Sequence, residues 1–241
     1  MVKQKNVYLQ PTKKTSTHMK RIIKPTPIDE EIKLFPYKTI MSKTDPKGII
    51  EYANDYFVEV SEYKEWELMG QPHNVIRHPD MPKIIFKILW DRLHKKQNIH
   101  AVVKNLAKSG RYYWVVTDFK WKEDENGNVV AYYSRRKAIP ENVKHYFGEL
   151  YAKLRKLEDK GGMEASGAYL QGLLDDMGKT YDELVLDLFG LTEEKLMEYM
   201  RAEINDEDMM KGRGSNYFDH SAEEAIRKTT KKGIFGKLFG K

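Results

Sequence analysis

Two histidines, an arginine and an aspartate are concentrated in residues 71–82, Gln-Pro-His-Asn-Val-Ile-Arg-His-Pro-Asp-Met-Pro, together with three prolines. Each proline fixes its own φ angle, removes a backbone donor and disfavours helix at the preceding residue. The segment is therefore too rigid and too polar for ordinary core packing. Imidazole, guanidinium and carboxylate groups displayed on such a loop are suited to binding a polar ligand. The alternative is a surface loop in which Arg77 and Asp80 simply pair in water.

An amphipathic helix is predicted directly after this loop, over residues 84–93, with Pro82 at its opening turn. Phe86 and Trp90 are four residues apart and therefore lie on one face of that helix. Aromatic rings beside convergent donors and acceptors are typical of a pocket for a flat ligand with polar edges. The alternative is that Trp90 belongs to the core.

Several segments of the chain resemble, in order and spacing, the PAS domain of bacterial aerotaxis receptors. They are Tyr52-Ala53-Asn54-Asp55, Gly70-Gln71-Pro72-His73-Asn74, Arg77-His78-Pro79-Asp80-Met81-Pro82, Trp90, Lys104-Asn105 and Tyr112-Tyr113-Trp114-Val115. The resemblance covers about residues 26–138, and the Arg-His-Pro-Asp-Met-Pro string is its most specific part. Proteins of that family bind FAD without a covalent link and report the redox state of the cell to the chemotaxis machinery. The resemblance therefore implies a flavin redox sensor.

The resemblance also implies which residues bind FAD. Phe86 and Trp90 would wall the flavin ring, the two asparagine amides would meet its polar edge, and the charged loop would meet the pyrophosphate or the pyrimidine edge. The full set is Asn54, Arg77, His78, Asp80, Phe86, Trp90 and Asn105. We expect His73, His94 and His100 to be exposed or locally bonded histidines without such a role.

Two other classes of function stay open at this point. A PAS sensor that binds haem b would need an axial ligand, for which His73 or His78 is available. A PAS module without a cofactor would act only through protein contacts. We do not expect an enzyme or a metal site, because no nucleophile motif, dinucleotide-binding glycine pattern or ligand spacing is present. With no cysteine in the chain, a disulfide, a thiolate metal site and a flavin–cysteine photoadduct are excluded.

The charge is concentrated in two predicted flexible tails. Residues 1–25 hold seven Lys or Arg and residues 227–241 hold six, with no acid in either. Because the whole chain is only +6, residues 26–226 carry a net −7. A nucleic-acid groove is therefore not expected, whereas the basic amphipathic tail, residues 205–241, has a membrane surface, a partner groove and the protein's own helices as alternative contacts. Short apolar runs predict a cytoplasmic protein.

The β-forming segments and turn signals predict an α+β chain with a PAS fold, in which a five-stranded antiparallel sheet carries helices on one face. The predicted strands are 37–43, 49–53, 99–105, 112–122 and 129–136. The predicted domain order is a flexible basic arm over 1–27, the sensor over 28–138, a connecting helix over 139–160, a small all-α bundle over 163–204 and the tail. Gly161-Gly162 is expected to end the connecting helix.

The expected output is a signal passed by contact. The resemblance implies a membrane-bound chemotaxis receptor with a HAMP segment, or the chemotaxis signalling complex, as the partner, and recruitment to the inner face of the membrane by that partner. The sheet face and the helix that begins at Asn142 are the predicted contact surfaces, and a homodimer is also expected.

Overall fold

A computed structural model describes residues 22–201 of the chain. Its centre is a single antiparallel sheet with the strand order β2-β1-β5-β4-β3. The strands are β1 (Ile40–Thr44), β2 (Ile50–Ala53), β3 (Ala101–Leu106), β4 (Tyr112–Glu123) and β5 (Val129–Lys137). All five predicted strands are present, and the predicted fold class is confirmed.

The segment between β2 and β3 covers one face of the sheet. It contains α1 (Asp55–Ser61), α2 (Glu65–Leu68), a 3₁₀ turn (His73–Ile76) and α3 (Lys83–His94). The side chains of Val103 on β3, Thr117 on β4 and Ser134 on β5 point towards these helices and line a cavity between them and the sheet. We call this side the cavity face.

The helices after β5 pack on the opposite side of the sheet. They are α4 (Glu141–Met177), α5 (Tyr181–Phe189) and α6 (Glu193–Met200). Because neighbouring residues of a strand point to opposite faces, Trp114 and Val116 point away from the cavity. Trp114 stacks on Tyr151 of α4, with ring centroids 6.1 Å apart. We call this side the back face. The predicted C-terminal helices are present and share one hydrophobic core with the sheet.

Helix α4 is broken where the sequence predicts. Gly161 and Gly162 have non-helical backbone angles, and the φ of +69° at Gly162 is favourable only for glycine. The part before the break contacts the sheet, and Gly167 after the break lies against Ile84 of α3, where an added Cβ would be 3.2 Å from the Ile84 side chain. Helix α4 therefore links the back face to the helix that walls the cavity.

The predicted basic arm up to residue 21, the last residues of the predicted bundle and the tail at 205–241 lie outside the described residues. Within residues 22–201, no helix is both long enough and apolar enough to cross a bilayer.

Candidate functional site

A cavity of about 260 Å³ lies between the cavity face and α3. Apolar walls are contributed by Leu89 and Leu93 of α3 and by Val103 of the sheet. Lys47 and Asn74 are the exposed members of its lining and mark its mouth. The cavity is thus an apolar space with a polar entrance, a shape typical of small-molecule sites.

Aromatic rings close the cavity on the α3 side. Trp90 packs edge-to-face on Tyr132 of β5, with ring centroids 5.7 Å apart. Gly48, in the turn between β1 and β2, has a φ of +79°, and a Cβ there would be 3.3 Å from the Trp90 ring. The turn can approach the indole this closely because residue 48 is glycine. Phe86 lines the same wall one turn earlier.

Positive charge dominates the polar part of the lining. Lys47, Arg77 and Arg136 are cationic, and no carboxylate lines the cavity in the described part of the chain. The Arg77 guanidinium lies 3.5 Å from the centroid of the Phe86 ring, and burial lowers its pKa. Burial also lowers the pKa of Arg136 to about 10, so both groups stay charged at neutral pH. The site favours an anionic ligand.

Several polar atoms of the lining have no hydrogen-bond partner among residues 22–201. They are the Asn105 Nδ2, the Thr117 Oγ1 and the Arg77 Nε. Asn105 is 4% exposed and Thr117 is 2% exposed. A buried donor without a partner costs about 1–3 kcal/mol. These atoms are where a bound ligand would contribute most.

Four of the seven residues predicted to bind the cofactor lie together at this cavity. They are Arg77, Phe86, Trp90 and Asn105. Their proximity is a fact of the fold, and their binding of FAD stays a prediction.

The other three predicted residues lie outside the cavity lining. Asn54 caps α1: its Oδ1 accepts from the Met41 and Phe57 amides, and its Nδ2 donates to the Thr39 carbonyl. Its amide atoms are therefore engaged by the backbone, which leaves it a structural role in this fold.

His78 and Asp80 point to the far side of strand β3. The His78 Nδ1 accepts from the Asp80 amide at 3.1 Å, and burial together with the charge of Lys104 lowers the pKa of His78 to about 4. Asp80 accepts from the Lys104 Nζ at 2.7 Å. Lys104 is the neighbour of Asn105 on the strand, so its side chain points away from the cavity.

Sequence reasoning missed the polar residues on the cavity face. Arg136, Thr117 and Ser134 look like ordinary strand residues in the sequence, and only the register of β4 and β5 brings them together. His73 was expected to be an exposed or locally bonded histidine without a role in FAD binding; it is locally bonded, but its position was not foreseen. It lines the cavity, and its Nε2 lies 2.8 Å from the Arg136 guanidinium.

A family model described as the PAS fold matches residues 50–135. Over 77 residues the chain is 52% identical to the aerotaxis receptor of Escherichia coli strain K12, a stretch that covers 32% of this chain and 15% of that receptor. This part of the chain is a PAS domain of the aerotaxis receptor family. The resemblance stated from the sequence motifs is confirmed.

Two further matches are more distant. The biofilm dispersion protein BdlA of Pseudomonas aeruginosa strain PAO1 is 27% identical over 117 residues, which are 47% of this chain and 27% of that protein. A solved light-oxygen-voltage domain, studied with a flavin analogue, is 21% identical; the match covers 46% of this chain and 84% of that one, with a TM-score of 0.42. The chain thus spans between 15% and 27% of the lengths of these two sequence relatives.

Proposed function

We propose that this chain is a flavin redox sensor in which FAD binds at the cavity of the PAS domain. The observation that carries the proposal is the polarity of the lining. Among residues 22–201, three cations and no carboxylate line an apolar space. The buried Asn105 amide nitrogen and Thr117 hydroxyl in that lining have no partner in this part of the chain. FAD has complementary features, because it combines a flat apolar ring, a polar ring edge and an anionic pyrophosphate.

Each part of the cofactor has suitable residues available. Phe86 and Trp90 would wall the ring, Asn105 and Thr117 would pair with its polar edge, and Lys47 at the mouth would attract the pyrophosphate. The cavity volume of about 260 Å³ suits a ring system better than the whole dinucleotide, so the adenosine part would lie at or beyond the mouth. When bound, FAD supplies reversible electron uptake.

The geometry gives less support to the two alternatives. A haem would require a free imidazole nitrogen in the cavity. The His73 Nε2 is engaged by Arg136 and by the Ser42 hydroxyl, and His78 lies outside the lining. A module without a cofactor would have no use for the buried donors of Asn105 and Thr117.

The sensor's output is proposed to pass through the sheet to the C-terminal helices. Only contacts that differ between oxidised and reduced flavin can shift the protein, and an asparagine amide that exchanges donor for acceptor is such a contact. Asn105 lies on β3, and the backbone of that strand is held by Tyr151 of α4 and Tyr181 of α5 through Val102.

A second link joins the cavity wall to α4. The Glu158 carboxylate accepts from the Lys83 and Ile84 amides at 3.0 and 2.9 Å, and so caps the helix that carries Phe86 and Trp90. The N-cap residue, Pro82, makes no side-chain hydrogen bond to the first turn of α3. Helix α4 would therefore respond to movement of α3.

Flavin binding can be tested on the purified full chain after supply of FAD. We expect a visible flavin absorption spectrum, and chromatography of the heat-released cofactor should identify intact FAD, since no cysteine can tether it. Asn105→Ala should weaken FAD binding about tenfold, in line with the loss of one buried hydrogen bond. Asn126→Ala, in the exposed turn before β5, is the matched control. A haem spectrum, or no retained chromophore, would refute the proposal.

The output can be tested by capture of chemotaxis receptors from membranes with oxidised and reduced protein. A chain cut at Pro140 would expose Trp114, so a point variant is preferable. We expect Glu158→Ala to abolish the redox dependence of capture, while Glu164→Ala, at an exposed position of the same helix, preserves it. If capture depends neither on the redox state nor on Glu158, α4 carries no signal. A membrane-bound receptor with a HAMP segment remains the proposed partner, and a homodimer stays a prediction.

A further inference from the structure

Arg136 is a buried cation on the floor of the cavity, and no carboxylate is among its hydrogen-bond partners in the described part of the chain. Its residue is 5% exposed. Its guanidinium donates to the Ser42 and Ser134 hydroxyls, and lies 2.8 Å from the His73 Nε2. The two serine hydroxyls are neutral. His73 is neutral as well, because burial together with the charge of Arg136 keeps the pKa of His73 well below its ordinary value.

The nearest carboxylate in the strand register belongs to the other side of the sheet. Asp118 is adjacent to Thr117 on β4, points to the back face and forms a salt bridge with Arg135. It is fully buried there. Taking a guanidinium out of water is costly unless a counter-charge compensates it. The charge of Asp118 also acts on Arg136, but this carboxylate is already paired with Arg135. Among the described residues that line the cavity, no carboxylate faces Arg136.

Thr117 completes this cluster. It is the direct partner of Arg136 in the pairing of β4 with β5, and cross-strand partners on one face are neighbours. Its hydroxyl is buried and has no partner in the described chain. A fixed cation beside a free hydroxyl donor is a site for negative charge.

We propose that Arg136 and Thr117 form an anion subsite that binds reduced, negatively charged flavin more tightly than oxidised, neutral flavin. The inference rests on the proposed binding of FAD. Uptake of two electrons and one proton converts the neutral ring into a monoanion; in the test below, dithionite donates the electrons and water the proton. Tighter binding of the anion raises the midpoint potential of the flavin. A tenfold ratio between the FAD affinities in the reduced and oxidised states corresponds to about 30 mV for a two-electron couple.

The experiment measures FAD affinity in both redox states, and the midpoint potential, in anaerobic full-length protein. Arg136→Met should weaken the reduced complex at least tenfold more than the oxidised complex, which lowers the potential by about 30 mV or more. Arg136→Lys should restore most of the difference. The control is Lys137→Met, which removes the next cation of β5. Lys137 is buried on the back face near the Tyr199 ring. This control should change the ratio of the reduced and oxidised affinities less than threefold.

Thr117→Val keeps the shape of the side chain and removes its hydroxyl, so it decides the matter if Arg136→Met fails to fold or to retain FAD. We expect a smaller change of the ratio in the same direction. An unchanged ratio in Arg136→Met, or in Thr117→Val where that variant decides, would overturn the subsite. An equal change in Lys137→Met would also overturn it. A wild-type chain that binds no FAD would instead refute the proposed function, and the subsite with it.

Discussion

The two faces of the sheet treat polar groups in opposite ways. On the cavity face, the Asn105 Nδ2 and the Thr117 Oγ1 are buried without a partner among residues 22–201, and the Arg136 guanidinium bonds there to no carboxylate. On the back face, where α4 and α5 meet β3, the Tyr151 and Tyr181 hydroxyls bond to each other at 2.8 Å and to the backbone of one residue of the strand.

The difference indicates what each face is for. Strand β3 is an edge strand, and its free backbone groups would invite pairing with another chain. The tyrosine hydroxyls satisfy those of Val102, Met81 and His78 bond to those of Lys104, and Asp182 accepts from the His100 amide. The back face therefore satisfies the backbone of the edge strand as a structural interface, with the His100 Nε2 as a buried atom that has no partner among residues 22–201. The cavity face instead leaves a cluster of lining groups unpaired in the described chain, as expected of a binding site.

The largest expected effect comes from removing one indole on each face. Trp114→Ala empties a buried position on the back face and should lower the free energy of unfolding by about 3–5 kcal/mol, with flavin still bound. Trp90→Ala removes a half-buried ring and should cost less stability but abolish flavin retention. Urea unfolding and the flavin-to-protein absorbance ratio measure both. Equal flavin loss in the two variants would remove the distinction between the faces.

Acid should destabilise the fold through two histidines, one on each side of β3, before it acts on the carboxyl groups. His78 is buried and His73 is half-buried at the cavity, and the fold lowers both pKa values, that of His78 to about 4. As the pH falls, each histidine is protonated in the unfolded chain before it is protonated in the folded protein. The free energy of unfolding therefore decreases below about pH 6.5, by up to ~1.4 kcal/mol per pH unit for each histidine. The lowered pKa values of carboxyl groups act below about pH 4.5, so the range from pH 6.5 to 5 isolates the histidines.

Urea titrations at pH 7, 6 and 5 check this expectation. His73→Gln and His78→Gln should each flatten the decline, whereas His145→Gln, at an exposed position on α4, should leave it as steep as in the wild type. If all three variants decline as the wild type does, the fold does not hold the two imidazoles in the neutral form.

The smallest effect is expected from one hydroxyl on the back face. Tyr151→Phe leaves the Val102 carbonyl without its 2.7 Å hydrogen bond and should cost about 1–2 kcal/mol. Amide exchange at Val102 should quicken, because its N–H group bonds to the Tyr181 hydroxyl that Tyr151 holds. Tyr146→Phe, half-buried on the same helix, should change stability by less than about 0.5 kcal/mol. Equal effects of the two substitutions would mean that the edge strand is not held by Tyr151.

Local chemistry was enough to predict the elements of the fold. Asn-Gly and Ser-Gly turns separate the strands, Thr180 opens α5 with a capping box that Glu183 completes, and the glycine pair breaks α4. These signals involve residues close together in the chain, so they could be found without tertiary information. The helical spacing of Phe86 and Trp90 similarly placed both rings on the wall of one cavity.

What the sequence determined by itself is therefore the PAS domain, its strands and the aromatic wall of its cavity. Tertiary structure alone decided that Arg136, Thr117 and His73 meet on the cavity floor, since strand register joins residues far apart in the chain. It also decided that Asn54 and Asp80 lie outside the cavity lining. Asn54 caps α1. Asp80 pairs with Lys104, which is one residue from Asn105 on β3 and therefore points to the opposite face. Glu158 could not be predicted as the cap of α3, since 74 residues separate it from Ile84.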